Sequence, residues 1–157
     1  MEKYKGLHQE VQVPSWDEYF YKIAVDVSSR STDAQTKHGC VLVDMNNHII
    51  GTGYNAPAKG IDITKIPNVR PLKYPFFIHS EINALLNTTV PVWNIHGGIK
   101  AYITGTPCIS CLSCLINSNA KEIIYDPSRG WSLTEADKED FEFLIQQSGI
   151  KLTQITI

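Results

Sequence analysis

No stretch of this chain stays apolar for the roughly 20 residues that a membrane-spanning helix needs, so no membrane role is expected. The opening, Met1-Glu2-Lys3-Tyr4-Lys5-Gly6, lacks the apolar core of an export signal. An excess of one charge is missing too. The 14 basic and 16 acidic residues leave a net charge of −2, which argues against a nucleic-acid binder relying on a broad basic face. Repeats, low-complexity tracts and linkers are absent, and 157 residues suit one domain. A domain of that length buries about 68–70% of its unfolded surface and needs no disulfide staples. Cysteine is scarce, and three of the 4 cysteines crowd between Cys108 and Cys114. Crowding in a chain without an export signal favours metal binding or catalysis over stapling. The expectation is a single soluble domain, residues 1–157, in the cytoplasm.

What is present reads as alternating elements. Ser15-Trp16-Asp17-Glu18 has the form of a capping box. Apolar residues follow at Trp16, Tyr19, Phe20, Ile23, Ala24 and Val27, the spacing of an amphipathic helix that ends near Ser28–Ser31. Gly39–Met45 and His48–Tyr54 are β-rich and separated by Asn46-Asn47, which predicts a hairpin. A long connection, Ala56–Phe77, follows, and loops of that length are usually functional. Helices are expected at His79–Thr88, Cys108–Asn119 and Thr134–Ser148, the last capped by Thr134 and stopped by Gly149. Strands are expected at Gly98–Thr104, Glu122–Asp126 and Ile150–Ile157. This α-β-β-α-β-α-β-α-β order predicts an α/β fold, a five-stranded mixed sheet flanked by helices.

Two motifs carry chemistry, each opening a predicted helix. They are His79-Ser80-Glu81 and Pro107-Cys108-Ile109-Ser110-Cys111. One His and two Cys suit zinc, and three ligands leave the fourth tetrahedral position open, as in a catalytic site. Helix starts add unpaired N–H groups and positive potential, which favour thiolates and an activated water. Cys114 could close a four-ligand structural site, or it packs as a small hydrophobe beside Leu115. Cys40 reads as core. A Cys–His hydrolase built on Cys108 and His79 would leave Cys111 and Glu81 idle. His8, His38, His48 and His96 read as surface histidines.

In combination the two motifs match the zinc deaminase signature His-x-Glu…Pro-Cys-x-x-Cys. The chain resembles deoxycytidylate (dCMP) deaminases of the cytidine deaminase superfamily over most of residues 15–155. The resemblance also rests on Ser29-Arg30-Ser31-Thr32-Asp33, Gly51-Thr52-Gly53-Tyr54-Asn55-Ala56, Lys73-Tyr74-Pro75 and Ala120-Lys121-Glu122-Ile123-Ile124-Tyr125. It implies a three-layer cytidine-deaminase-like fold and hydrolysis of dCMP to dUMP and ammonia, feeding dTTP synthesis. It further implies one zinc on His79, Cys108 and Cys111, with Glu81 as base and then acid. The nucleotide would meet Arg30, Asn55 and Tyr125. Arg30 suits phosphate by its bidentate geometry; the plainer alternatives are a surface charge for Arg30 and a core aromatic for Tyr125.

The resemblance also implies activation by dCTP with Mg²⁺, inhibition by dTTP and a homohexamer. The effector site would involve Asp33, Gly53 and Tyr54, apart from the zinc pocket. Three positions depart from the family pattern: Ser80 replaces Ala, Ala56 replaces Gly, and His38 replaces an apolar residue. Some phage members carry a second, structural zinc; Ala56–Phe77 contains neither Cys nor His, so one zinc is expected. The short chain would suit a phage-encoded member acting in the host cytoplasm. The main rival is a tRNA or single-stranded nucleic-acid deaminase, which the charge balance disfavours. A regulator without catalysis, or a zinc scaffold, would have no use for Glu81.

Overall fold

The computed structural model describes residues 2–130 and 132–157. Among them, α1 (Trp16–Ser28) leads into the hairpin of β1 (Gly39–Asp44) and β2 (Ile49–Tyr54). The connection that follows holds β3 (Ala56–Pro57) and β4 (Phe77–Ile78). Then come α2 (Ser80–Leu86), β5 (Ile99–Ile103), α3 (Ile109–Asn117), β6 (Ala120–Tyr125), α4 (Glu135–Ser148) and β7 (Lys151–Gln154). The five-stranded sheet has the order β2-β1-β5-β6-β7. β1 runs antiparallel to both neighbours, whereas β5, β6 and β7 are parallel.

Alternation along the central strands builds two cores. Cys40 and Leu42 of β1 join Ala101 and Ile103 of β5 and Ile123 of β6 under α2, α3 and α4. Val41, Val43, Tyr102 and Ile124 face the other way, onto Phe20, Tyr21 and Ala24 of α1. Because side chains alternate across a strand, one run of sequence lines both layers. The expected three-layer α/β architecture is what results.

The helix ends follow their caps. Ser15 Oγ accepts the N–H of Glu18 at 3.2 Å, and Glu18 returns a carboxylate to the N–H of Ser15 at 2.9 Å. In α4, Thr134 and Asp137 make the same exchange, and Gly149 stops the helix at φ 69. Trp16 and Tyr19, expected on the apolar face of α1, are exposed; Trp16 instead stacks on Phe20 at 5.5 Å. The hairpin is wider than a two-residue turn. Register shifts between Leu42 and Val43, and the Asp44 carboxylate gathers the N–H groups of Asn46 and His48, each at 2.9 Å. The last strand stops at Gln154, short of Ile157. The long connection is not bare loop, since β3 pairs with β4 and so joins its two ends.

One approach is unusually close. A Cβ on Gly53 would lie 2.2 Å from the Ala84 nitrogen, and one on Gly51 would lie 2.6 Å from the Ala84 oxygen. Only glycine lets α2 sit directly on the β2 backbone.

Candidate active site

The chemistry-bearing side chains gather at the starts of two short helices. β4 leads to His79 as N-cap of α2, with Glu81 in the first turn. After β5, Gly105-Thr106-Pro107 turns the chain into α3, with Cys108 as N-cap. Cys108 Sγ accepts the N–H of Cys111 at 3.4 Å, so the first thiol caps the helix that holds the second.

His79 Nδ1 lies 3.5 Å from Cys108 Sγ and 3.4 Å from Cys111 Sγ. Tetrahedral zinc, at about 2.3 Å from sulfur and about 2.0–2.1 Å from nitrogen, demands nitrogen–sulfur separations of about 3.6 Å. The donor set fits zinc, and all three ligand atoms lie within 4.8 Å of one another. Cys114 is exposed and outside this group, so it neither closes the site nor packs as core. Cys40 is fully buried, as expected.

Charge at the cluster asks for a cation. Hydrogen bonding from Cys111, helped by His79, outweighs burial and holds the Cys108 thiol well below its ordinary value. Its partner is driven the other way: the bond to Cys108, then burial, pushes the Cys111 thiol up. Two neighbouring thiolates repel, and a divalent cation between them removes that conflict. Burial raises the Glu81 carboxyl, opposed by its own backbone N–H and by the Ser80 hydroxyl, which donates at 2.8 Å. A raised carboxyl suits a group that takes and returns a proton near neutral pH.

His79, Ser80, Glu81 and Cys108 open onto a cavity of about 390 Å³. The segments after α1 and β2 contribute Asp33, Thr36, His38 and Asn55; the long connection contributes Arg70, Lys73, Tyr74 and Phe77. The two walls are tied together. Lys73 Nζ reaches both Asp33 oxygens at 2.6 Å, each side chain only 4% exposed. Asn68 accepts from Ala34 N–H at 3.1 Å and donates to the Thr32 carbonyl at 2.9 Å. Arg70 N–H donates to Gln35 Oε1 at 2.8 Å, and its guanidinium donates to Thr36 Oγ1. Lys73 and Asp33 cancel in charge. Arg70 enters no ion pair among the described residues, so it is the cation left over on the wall.

The expected nucleotide contacts are only partly brought together. Arg30 is exposed at the end of α1 and does not line the cavity, because α1 lies across the sheet from α2 and α3. Tyr125 is 7% exposed within the core, and its hydroxyl accepts from Gln154 at 3.3 Å. Asn55 does line the cavity, but its amide is committed. It donates to Asp33 and to the Thr36 carbonyl, and accepts the N–H of His38 at 2.8 Å. Asp33 lines this same cavity. Gly53 is explained by the seating of α2, and Tyr54 accepts from Asn83 through its carbonyl at 2.8 Å. Sequence reasoning gave no site role to Arg70, Lys73 or His38. For Arg70 and Lys73 the length of Ala56–Phe77 was the usable signal; His38 lies outside that segment.

The profile described as "Cytidine and deoxycytidylate deaminase zinc-binding region" matches residues 14–126. Deoxycytidylate deaminase of Pongo abelii is 31% identical over 116 residues, covering 70% of this chain and 64% of that protein. This chain therefore spans just under two thirds of that relative's length. Deoxycytidylate deaminase of Mycobacterium phage D29 is 30% identical over 125 residues, 71% of this chain and 94% of the phage protein. The dCMP deaminase of cyanophage S-TIM5, solved with dCMP and dUMP, shares the fold with a TM-score of 0.70 at 22% identity, over 92% of this chain and 100% of that one. With the zinc-binding profile spanning both motifs and a His-Cys-Cys cluster of matching geometry, this chain belongs to the cytidine and deoxycytidylate deaminase family.

Proposed function

We propose that this chain, acting as one domain, is a dCMP deaminase: water and dCMP give dUMP and ammonia. The observation that carries the reading is a buried Glu81 beside a three-ligand cluster, in a cavity whose wall also holds the cation Arg70. At about 390 Å³ the cavity falls within the small-molecule range of about 300–1,000 Å³. His79, Cys108 and Cys111 would hold zinc, whose role when bound is to lower the pKa of water. Glu81 does the proton work. It removes a proton from the attacking water as oxygen bonds to C4 and delivers it to N3. It then takes the second proton from the new C4 hydroxyl and gives it to N4 as the C4–N4 bond breaks and the C4 carbonyl forms. Ser80 orients its carboxylate through the 2.8 Å hydrogen bond. Arg70, rather than Arg30, is the phosphate partner, since its guanidinium sits on the cavity wall. Resemblance to the family further supports dCTP–Mg²⁺ activation, dTTP inhibition and a hexamer. Rate against dCMP with each nucleotide, and sedimentation, test those.

Assaying dCMP, cytidine and an RNA stem-loop side by side tests the reading. dCMP should be turned over best, and Glu81→Gln should lose about 10²–10⁴-fold in kcat while keeping fold and zinc. Preferred turnover of the stem-loop, or a Glu81→Gln protein within tenfold of the wild-type rate, overturns it.

A further inference from the structure

His38 is a cavity-lining residue to which the reaction as written gives no task. Its tautomer can be deduced. Thr104 is fully buried, and its Oγ1 accepts the N–H of Gly39 at 3.0 Å. A buried hydroxyl proton needs an acceptor. The partner at hand is His38 Nδ1, 3.3 Å away. Nδ1 therefore accepts, and the ring proton sits on Nε2. Among the described residues Nε2 has no hydrogen-bond partner.

The ring is also held in place. A Cβ on Gly105 would come 2.7 Å from Cε1, and a Cβ on Gly130 would come 2.6 Å from the same atom. Two backbone segments grip one edge of the imidazole, and Thr104 fixes its rotation. Burial is the main cause that lowers its pKa, to about 4, so the ring is neutral at ordinary pH. A neutral donor suits an uncharged oxygen and leaves the phosphate to Arg70.

We propose that His38 is a substrate-binding residue whose Nε2–H donates to an uncharged oxygen of the nucleotide, a base carbonyl or a sugar hydroxyl. This rests on the reading that a nucleotide occupies the cleft.

The test compares His38→Asn, His38→Gln and His38→Val on dCMP and on 2′,3′-dideoxy-CMP, with zinc content and melting temperature measured for each. Asn can reproduce Nδ1 but not Nε2; Gln places an amide N–H near Nε2. Losing one neutral hydrogen bond predicts a KM on dCMP about three- to tenfold higher for His38→Asn and His38→Val. kcat and zinc content should change little, and His38→Gln should recover most of the KM. If the penalty vanishes on the dideoxy substrate, the acceptor is the 3′-hydroxyl. If it persists, the acceptor is the base carbonyl. Unchanged KM in all variants overturns the proposal. Equal KM losses in all three with lowered melting also overturn it, since they mean the ring serves packing. A wild-type protein inert toward dCMP, with zinc bound, overturns the functional reading and the role of His38 with it.

Discussion

Replacing Lys73 with methionine would strand the Asp33 carboxylate in a wall where both side chains are 4% exposed. Breaking a buried ion pair from one side costs about 3–5 kcal/mol, because the remaining charge loses its partner but not its burial. Asp33 would keep three donors: Gln35 N–H at 2.8 Å, Thr36 N–H at 3.0 Å and Asn55 Nδ2 at 3.1 Å. The loss should therefore fall at the low end, about 3 kcal/mol. In a chain of this size that lowers the melting temperature by about 6–12 °C. Burial alone would raise the Asp33 carboxyl; Lys73, Gln35 and Thr36 overcome it and hold it below the usual range. Without Lys73 that pKa climbs, and protonating Asp33 relieves the stranded charge. The gap between variant and wild type should narrow as pH falls toward about 4. Lys73→Met/Asp33→Asn should recover part of the loss, since no charge is left unpaired. Urea unfolding of all three proteins at neutral and mildly acid pH reads these differences. A Lys73→Met protein melting within about 2 °C of wild type, or a double variant no more stable than the single one, refutes the argument.

Metal analysis of Cys108→Ala should show near-complete loss of zinc, whereas Cys114→Ala keeps it; the reverse pattern would mean the ligands are misassigned. Arg70→Ala should lower kcat/KM for dCMP by about 10–100-fold, the worth of a charge-assisted hydrogen bond, with far less effect on deoxycytidine. Equal losses on both would place Arg70 outside the phosphate site. Glu122 is held at about 2, because Lys151 at 2.8 Å, Thr153 at 2.6 Å and Lys100 at 3.2 Å overcome the burial that would raise it. A depressed carboxyl adds stability that is present above its unfolded pKa of about 4.3 and is lost as pH falls through the folded value. Glu122→Gln should therefore lose less stability than wild type between about pH 4.3 and about pH 2; identical acid limbs in a pH-melting series would show that Glu122 contributes nothing there.

Much of this architecture was legible because its signals are local. Ser15 and Glu18 are three residues apart, Cys108 and Cys111 are three apart, and β1 alternates in and out within six residues. The cleft wall obeys no such spacing. Lys73 meets Asp33 across 40 residues and Arg70 meets Gln35 across 35, so those partners become visible only once β3 and β4 pair. Arg30 and Tyr125, raised by the family resemblance, do not line the cavity. Arg30 follows α1 on the other side of the sheet, and which side a residue occupies is a property of the whole layer order; Tyr125 shares the side of α2 and α3 but is packed into the core. At Gly53 only glycine fits, because the neighbour it admits is the backbone of a helix.

The seating of α2 on the β2 glycines bears on how the protein comes apart. α2 has seven residues, and isolated helices shorter than about 12–15 residues are marginal in water. Its first turn therefore keeps its shape only while docked. Local opening of that contact would scatter His79 and Glu81 while the sheet stays intact, a partial unfolding less costly than the global one. Zinc held between α2 and α3 would bind the docked form alone and draw the equilibrium toward it by mass action. Amide hydrogens of α2 should exchange faster than those of β1 and β5 in chelator-treated protein, and slow down when zinc returns.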